Sequence, residues 1–115
     1  MRRFRSTIGV VQGSRVLFSD FADGGQMWTG NGPRECRFAV HFTDPFAEAP
    51  VVMVAMAMWD MDSATNSRAD LSADHVTRKG FHIVFKTWGD TRVARVRADW
   101  TAIGPVRDED DWDVE

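Results

Sequence analysis

Residues 78–100 read RKGFHIVFKTWGDTRVARVRADW and hold two alternating runs on either side of a polar WGDT turn. In the first run Phe81, Ile83 and Phe85 fall on one side. In the second, Ala94, Val96, Ala98 and Trp100 oppose Val93, Arg95, Arg97 and Asp99. A period of two marks a strand with one buried face, because successive side chains of an extended chain point to opposite faces.

The same alternation recurs upstream. In ECRFAVHF (35–42), Cys36, Phe38, Val40 and Phe42 share one face and Glu35, Arg37, Ala39 and His41 the other. GSRVLFSDF (13–21) and the weaker RADLSADH (68–75) supply further strands. The segments between them, ADGGQMWTGNGP, TDPFAEAP, DMDSATNS, TRKG and WGDT, are rich in Gly, Pro, Asn and Asp, which accept positive φ or preset a turn. About six strands at this spacing predict an all-β antiparallel sandwich or barrel. No internal repeat is visible.

One segment breaks the rule. PVVMVAMAMW (50–59) is apolar on both faces. Val51, Val52 and Val54 and the leading Pro50 favour a strand over a buried helix. A strand apolar on both sides needs cover twice, either from a partner subunit or as the central strand of a single domain.

The totals bound the rest. A chain of 115 residues has room for one core, with 43% hydrophobic and 27% charged residues, an ordinary globular balance. Residues 1–106 are expected to form a single domain and 107–115 an acidic tail. That tail, RDEDDWDVE, sets six acidic groups against one arginine, a local charge of −5 within a total of −3, which leaves +2 on the body. With Lys and Arg outnumbered 14 to 17 there is no basic stripe for nucleic acid. Cys36 is the sole cysteine, no Cys/His spacing suggests a zinc site, and His41, His75 and His82 are expected to stand alone. The MRRFRSTIGVVQG start has no apolar stretch of signal-peptide length, and nothing approaches the roughly 20 residues that span a bilayer. Cytoplasmic synthesis without membrane insertion is the expectation, with action on a cell surface or particle outside.

Enzymatic constellations are weak. Asp60, Asp62 and Asp70 lie near each other, yet such residues ordinarily cap turns. No nucleophile elbow, phosphate loop, dinucleotide glycine pattern or metalloprotease motif occurs, and DMDSATN lacks the glycine and closing glutamate of a calcium loop. No enzyme and no cofactor is indicated. A sugar site needs forked hydrogen-bonding side chains and an aromatic face for the ring's C–H surface. Arg68 after the DSATNS loop, Asn31 in GNGP and Trp88 before the GDT turn supply those types at loop or strand-end positions. A surface charge and a rim core plug are the plain alternatives.

Residues 50–104 resemble the H-type lectin domain, an N-acetylgalactosamine-binding family. The likeness lies in Pro50, Val51 and Val52; Asp60; Asn66 and Arg68; Gly80 and Phe81; Thr87, Trp88 and Thr91; and Asp99 and Trp100. It extends over roughly residues 10–104. The resemblance implies a six-stranded antiparallel β-sandwich that assembles as a homotrimer, with sugar sites near subunit boundaries and a hexamer of two trimers as a further option. It places the family's central arginine at Arg68, its ring-packing tryptophan at Trp88, with Gly89 and Asp90 following in the same turn. The acidic residue of its first loop falls near Asn31, with Asp23 as a rival. Two contact residues are absent: a family histidine falls at Gly89 and a tyrosine at Ala94. The positions of the family's disulfide are Ala47 and Phe85.

The expected function is non-enzymatic recognition of a glycan, either an N-acetylgalactosamine-like sugar or a bacterial polysaccharide, gaining avidity from three copies. A receptor-binding spike or fibre module of a phage-like particle would use such sites. The alternative is a trimeric assembly module that has lost sugar binding.

Overall fold

The computed structural model describes residues 1–108; the acidic run beyond them, with Trp112, lies outside the described residues. Six strands form, in order β1 (Ile8–Ser19), β2 (Arg34–His41), β3 (Val51–Met61), β4 (Asp70–Thr77), β5 (Gly80–Thr87) and β6 (Val93–Pro105). A four-residue helix, α1 (Gln26–Thr29), interrupts the first long loop. They build two three-stranded antiparallel sheets, β1-β6-β3 and β2-β5-β4, packed face to face as the alternation predicts.

The inward sets meet between the sheets. Phe81, Ile83 and Phe85 from β5 face Val96, Ala98 and Ala102 from β6, all buried, with Cys36, Phe38 and Val40 from β2 packed against them. Phe42 lies one residue beyond β2 yet stays in the core, where it meets Phe46 edge to face at 5.0 Å. Gly80 opens β5 because its α-carbon presses on β2: an added Cβ would run into the Val40 carbonyl. Burial of the Cys36 thiol pushes its pKa up, the first effect, and Asp20 and Glu35 add to it.

Within one chain the doubly apolar segment is not central. β3 is an edge strand, paired only with β6. Val52, Val54 and Met56 pack on the core, whereas Val51 and Met53 stand 40% and 53% exposed. Across the sheet Val51 shares a rung with Ile103 and with Val10, which is 60% exposed. The outer face of this sheet therefore carries an uncovered apolar band at one end and charge at the other. There Arg95 pairs with Asp60 at 3.6 Å and Arg97 with Asp99 at 3.8 Å.

Connectivity decides where the loops gather. Every link except the β4–β5 hairpin crosses between the sheets. Register sets Ser19, Asp60 and Arg95 side by side in one sheet, and Arg34, Thr87 and Lys86 with Asp70 in the other. Residues 20–33, 62–69 and 88–92 consequently converge on the same end of the sandwich.

Candidate carbohydrate site

That end is knitted by backbone and side-chain hydrogen bonds between all three loops. Gly32 N–H donates to the Gly89 carbonyl at 3.0 Å, and Asp62 N–H to the Arg92 carbonyl at 3.0 Å. The Thr91 hydroxyl donates to the Asn66 carbonyl, and the Thr87 hydroxyl to the Arg68 carbonyl at 2.6 Å. Both threonines are buried, so these bonds fix the loop that carries Arg68 against the turn that carries Trp88.

Arg68, Gly89 and Asp90 come together as one unit. Arg68 Nη1 donates to the Asp90 carboxylate and, at 3.4 Å, to the Thr91 hydroxyl. Among the described residues Nε and Nη2 of Arg68 make no hydrogen bond, which leaves donors of the fork for another partner. Gly89 has φ +68°, and a Cβ there would stand 3.0 Å from Arg68 Nη1 and 3.2 Å from its Cζ. Glycine at this position is thus demanded by the backbone and by the guanidinium beside it, rather than being only a lost contact residue.

Trp88 sits between Thr87, which holds the Arg68 carbonyl, and Gly89, which touches its guanidinium. Strand alternation turns Thr87 in and Trp88 out, and the indole is 44% exposed. It lines a shallow hollow of about 320 Å³ with Pro33, Glu35 and Lys86, and Arg68 is not among that hollow's walls. Asn31 is exposed and spends Oδ1 on the next N–H, that of Gly32, at 2.9 Å. It neighbours Gly89 through the Gly32 bond without reaching Arg68. Asp23, the rival position, is exposed in the same loop. Ala94 is not at this site: it lines a different hollow with Phe21, Trp28 and Asp60.

The residue that organises the rim is one the sequence did not single out. Arg34, only 7% exposed, donates from Nε to Gly32 O at 2.9 Å, from Nη1 to Met27 O at 3.1 Å and from Nη2 to Gly89 O at 3.2 Å and Thr91 O at 2.7 Å. One guanidinium clasps α1, the GNGP loop and the WGDT turn. The signal was present as an arginine placed where β2 begins, directly after a Gly-Pro turn, but its partners are carbonyls that carry no side-chain signature. Nearby Arg92 repeats the device, lying 4.3 Å over the Trp28 ring and donating to Trp28 O at 2.9 Å. Of the three aspartates expected at turns only Asp62 serves one, accepting from Ala64 N–H at 2.9 Å and pairing with Arg92, whereas Asp60 lies in β3 and Asp70 in β4.

The histidines, apart in sequence, are brought together. His75 stacks on His82 with ring centroids 4.9 Å apart, and both share one hollow with His41. The expectation of isolated histidines is overturned because β2, β4 and β5 are neighbours in one sheet.

Comparison with known proteins agrees with this architecture. The profile of the H-type lectin domain matches residues 37–103. A chain from Fuscovulum blasticum, described as ATP synthase subunits region ORF 7, is 65% identical over the full length of both. One of the discoidin-1 polypeptides of Dictyostelium discoideum is 39% identical over 75 residues, 64% of this chain and 30% of the discoidin's length. The solved structure of wild-type discoidin II from the same organism superposes with a TM-score of 0.75 at 24% identity, covering 86% of this chain and 37% of that one, a likeness of fold. The chain spans about a third of the discoidins it matches. With the profile covering more than half of its residues and the sandwich agreeing strand for strand with expectation, this chain belongs to the H-type lectin domain family.

Proposed function

We propose that the chain is a carbohydrate-binding lectin whose site is built on Arg68 and Trp88, for an N-acetylgalactosamine-like sugar or a related bacterial polysaccharide. The observation that carries this is the state of Arg68: held by Asp90 and Thr91, with Nε and Nη2 uncommitted among the described residues, against the turn that carries the exposed Trp88 indole. Vicinal sugar hydroxyls suit such a fork, and the indole suits a ring's apolar face. The two groups flank the turn without sharing walls in one chain; in this reading a neighbouring protomer completes the site.

The apolar rung Val10, Ile103 and Val51, with Met53, supports a homotrimer packed through the outer face of the first sheet. Three copies on one side would raise avidity for a glycan surface well above single-site affinity. A role as the receptor-binding tip of a phage-like particle would use that arrangement. The second reading, a trimeric assembly module without sugar binding, draws on the bare backbone at Gly89 and on Ala94 lying elsewhere.

A glycan array with the wild-type protein and Arg68→Ala discriminates the two. Binding abolished by the substitution supports the lectin; wild-type silence at high avidity favours the assembly module.

A further inference from the structure

On the outer face of the second sheet, toward the end of β2 and β5 opposite the lectin loops, all three histidines of the chain line one hollow of about 320 Å³. His41 comes from β2, His75 from β4 and His82 from β5, with Asp74 beside His75. Ligand atoms of Asp74, His75 and His82 all lie within 4.8 Å of one another. We propose that Asp74, His75 and His82 form a binding site for a divalent transition-metal ion of the zinc class.

Three observations carry the assignment. The donor set is two imidazoles and a carboxylate, which suits zinc and its neighbours rather than calcium or magnesium, whose shells are all oxygen. His75 adopts a left-handed φ of +51°, at an irregularity where β4 loses register with β5 between Asp74 and Thr77. Histidine visits that region more often than most residues but still at a cost, and here the bend stacks its ring on His82. Finally, a cation already bridges the cluster. Arg37 Nη1 donates to Asp74 Oδ1 at 2.7 Å and lies 3.2 Å from His82 Nδ1, as a metal's positive charge would.

Arg37 has somewhere to go. Its Nε lies 3.6 Å from Glu35, so the guanidinium can turn toward that carboxylate when the ion enters. Ligand atoms must then close to roughly 2.0–2.2 Å from the metal, a modest movement for side chains on an open sheet face, with water filling the remaining positions. His41, exposed, lines the same hollow without joining the three whose ligand atoms gather.

The test is a zinc titration of the full chain by calorimetry at about pH 7.5, where imidazole is largely neutral, followed by NMR of the imidazole resonances. One zinc per chain at micromolar affinity is expected, with His75 and His82 resonances shifted together. His82→Ala and His75→Asn, the latter keeping a residue that tolerates positive φ, should each weaken binding by at least about tenfold. Arg37→Ala should tighten it several-fold, since the competing cation is gone. Zinc that shifts neither imidazole, or that binds the His75→Asn/His82→Ala double variant as well as wild type, overturns the site. Equal affinity in the Arg37→Ala protein overturns the exchange of guanidinium for metal.

Discussion

Removing the Arg34 guanidinium should cost this fold more than any other single polar truncation at the loop end. Five carbonyl contacts, to Gln26, Met27, Gly32, Gly89 and Thr91, depend on it. Water can replace the partners at Gln26, Gly32 and Gly89, where the bonds are only partly buried. The Met27 and Thr91 carbonyls are buried, and each would lose its charged donor. An orphaned buried acceptor costs about 1–3 kcal/mol, so Arg34→Ala should lose about 4 kcal/mol in all. That is a large part of the ~5–15 kcal/mol typical of a domain, yet leaves it folded at room temperature. In urea, with a slope of about 2 kcal/mol/M, the midpoint should fall by about 2 M. Arg34→Lys should fall between, because a compact ammonium cannot fork to loops on several sides. Glycan binding should drop in step, since the same contacts set the turn under Trp88. A loss below about 1 kcal/mol, the range of an ordinary surface change, would refute the clasp. So would a strongly destabilised protein with undiminished sugar affinity, for it would separate the clasp from the rim.

Gly89→Ala should destabilise by about 1–2 kcal/mol, from the positive φ alone, and weaken sugar binding further by pushing the Arg68 guanidinium aside; unfolding and binding measured on one preparation check both. The hydrogen bond from Arg37, with that from His75, holds the Asp74 carboxyl down to about 2. Because its folded pKa lies below the unfolded value, the stability it lends is fully present above about pH 4 and fades as pH falls through about 2. Carboxyl NMR should place the midpoint there, and Arg37→Ala should return it toward the ordinary range. The proposed trimer should dissociate on Met53→Glu to a folded monomer in light scattering; an unchanged mass would remove that face from the proposed assembly. Cys36, half-buried and with its pKa raised by that burial, should react with a thiol reagent more slowly in the folded protein than in urea.

The alternation in RKGFHIVF and RVARVRADW was enough to fix strand identity and most inward faces, because burial of one face leaves a period of two in the chain itself; at the start of β6 an irregularity in the pairing with β3 reverses it, so that Val93 is in the core and Ala94 lines an outer hollow. Turn chemistry likewise placed the breaks, and the spacing of Arg68, Trp88 and Thr91 was legible as a family pattern. Strand order was not. Local pattern cannot tell an edge from a centre, so PVVMVAMAMW could be read as a central strand although β3 is an edge strand with Val51 and Met53 exposed in one chain. Arg34 was equally invisible, since its partners are backbone carbonyls delivered by three separate loops. The histidine cluster arises the same way: residues 41, 75 and 82 meet only because sheet pairing sets three strands side by side. Periodicity is a property of neighbours along the chain, whereas convergence is a property of neighbours across the sheets, and only the folded backbone supplies the second.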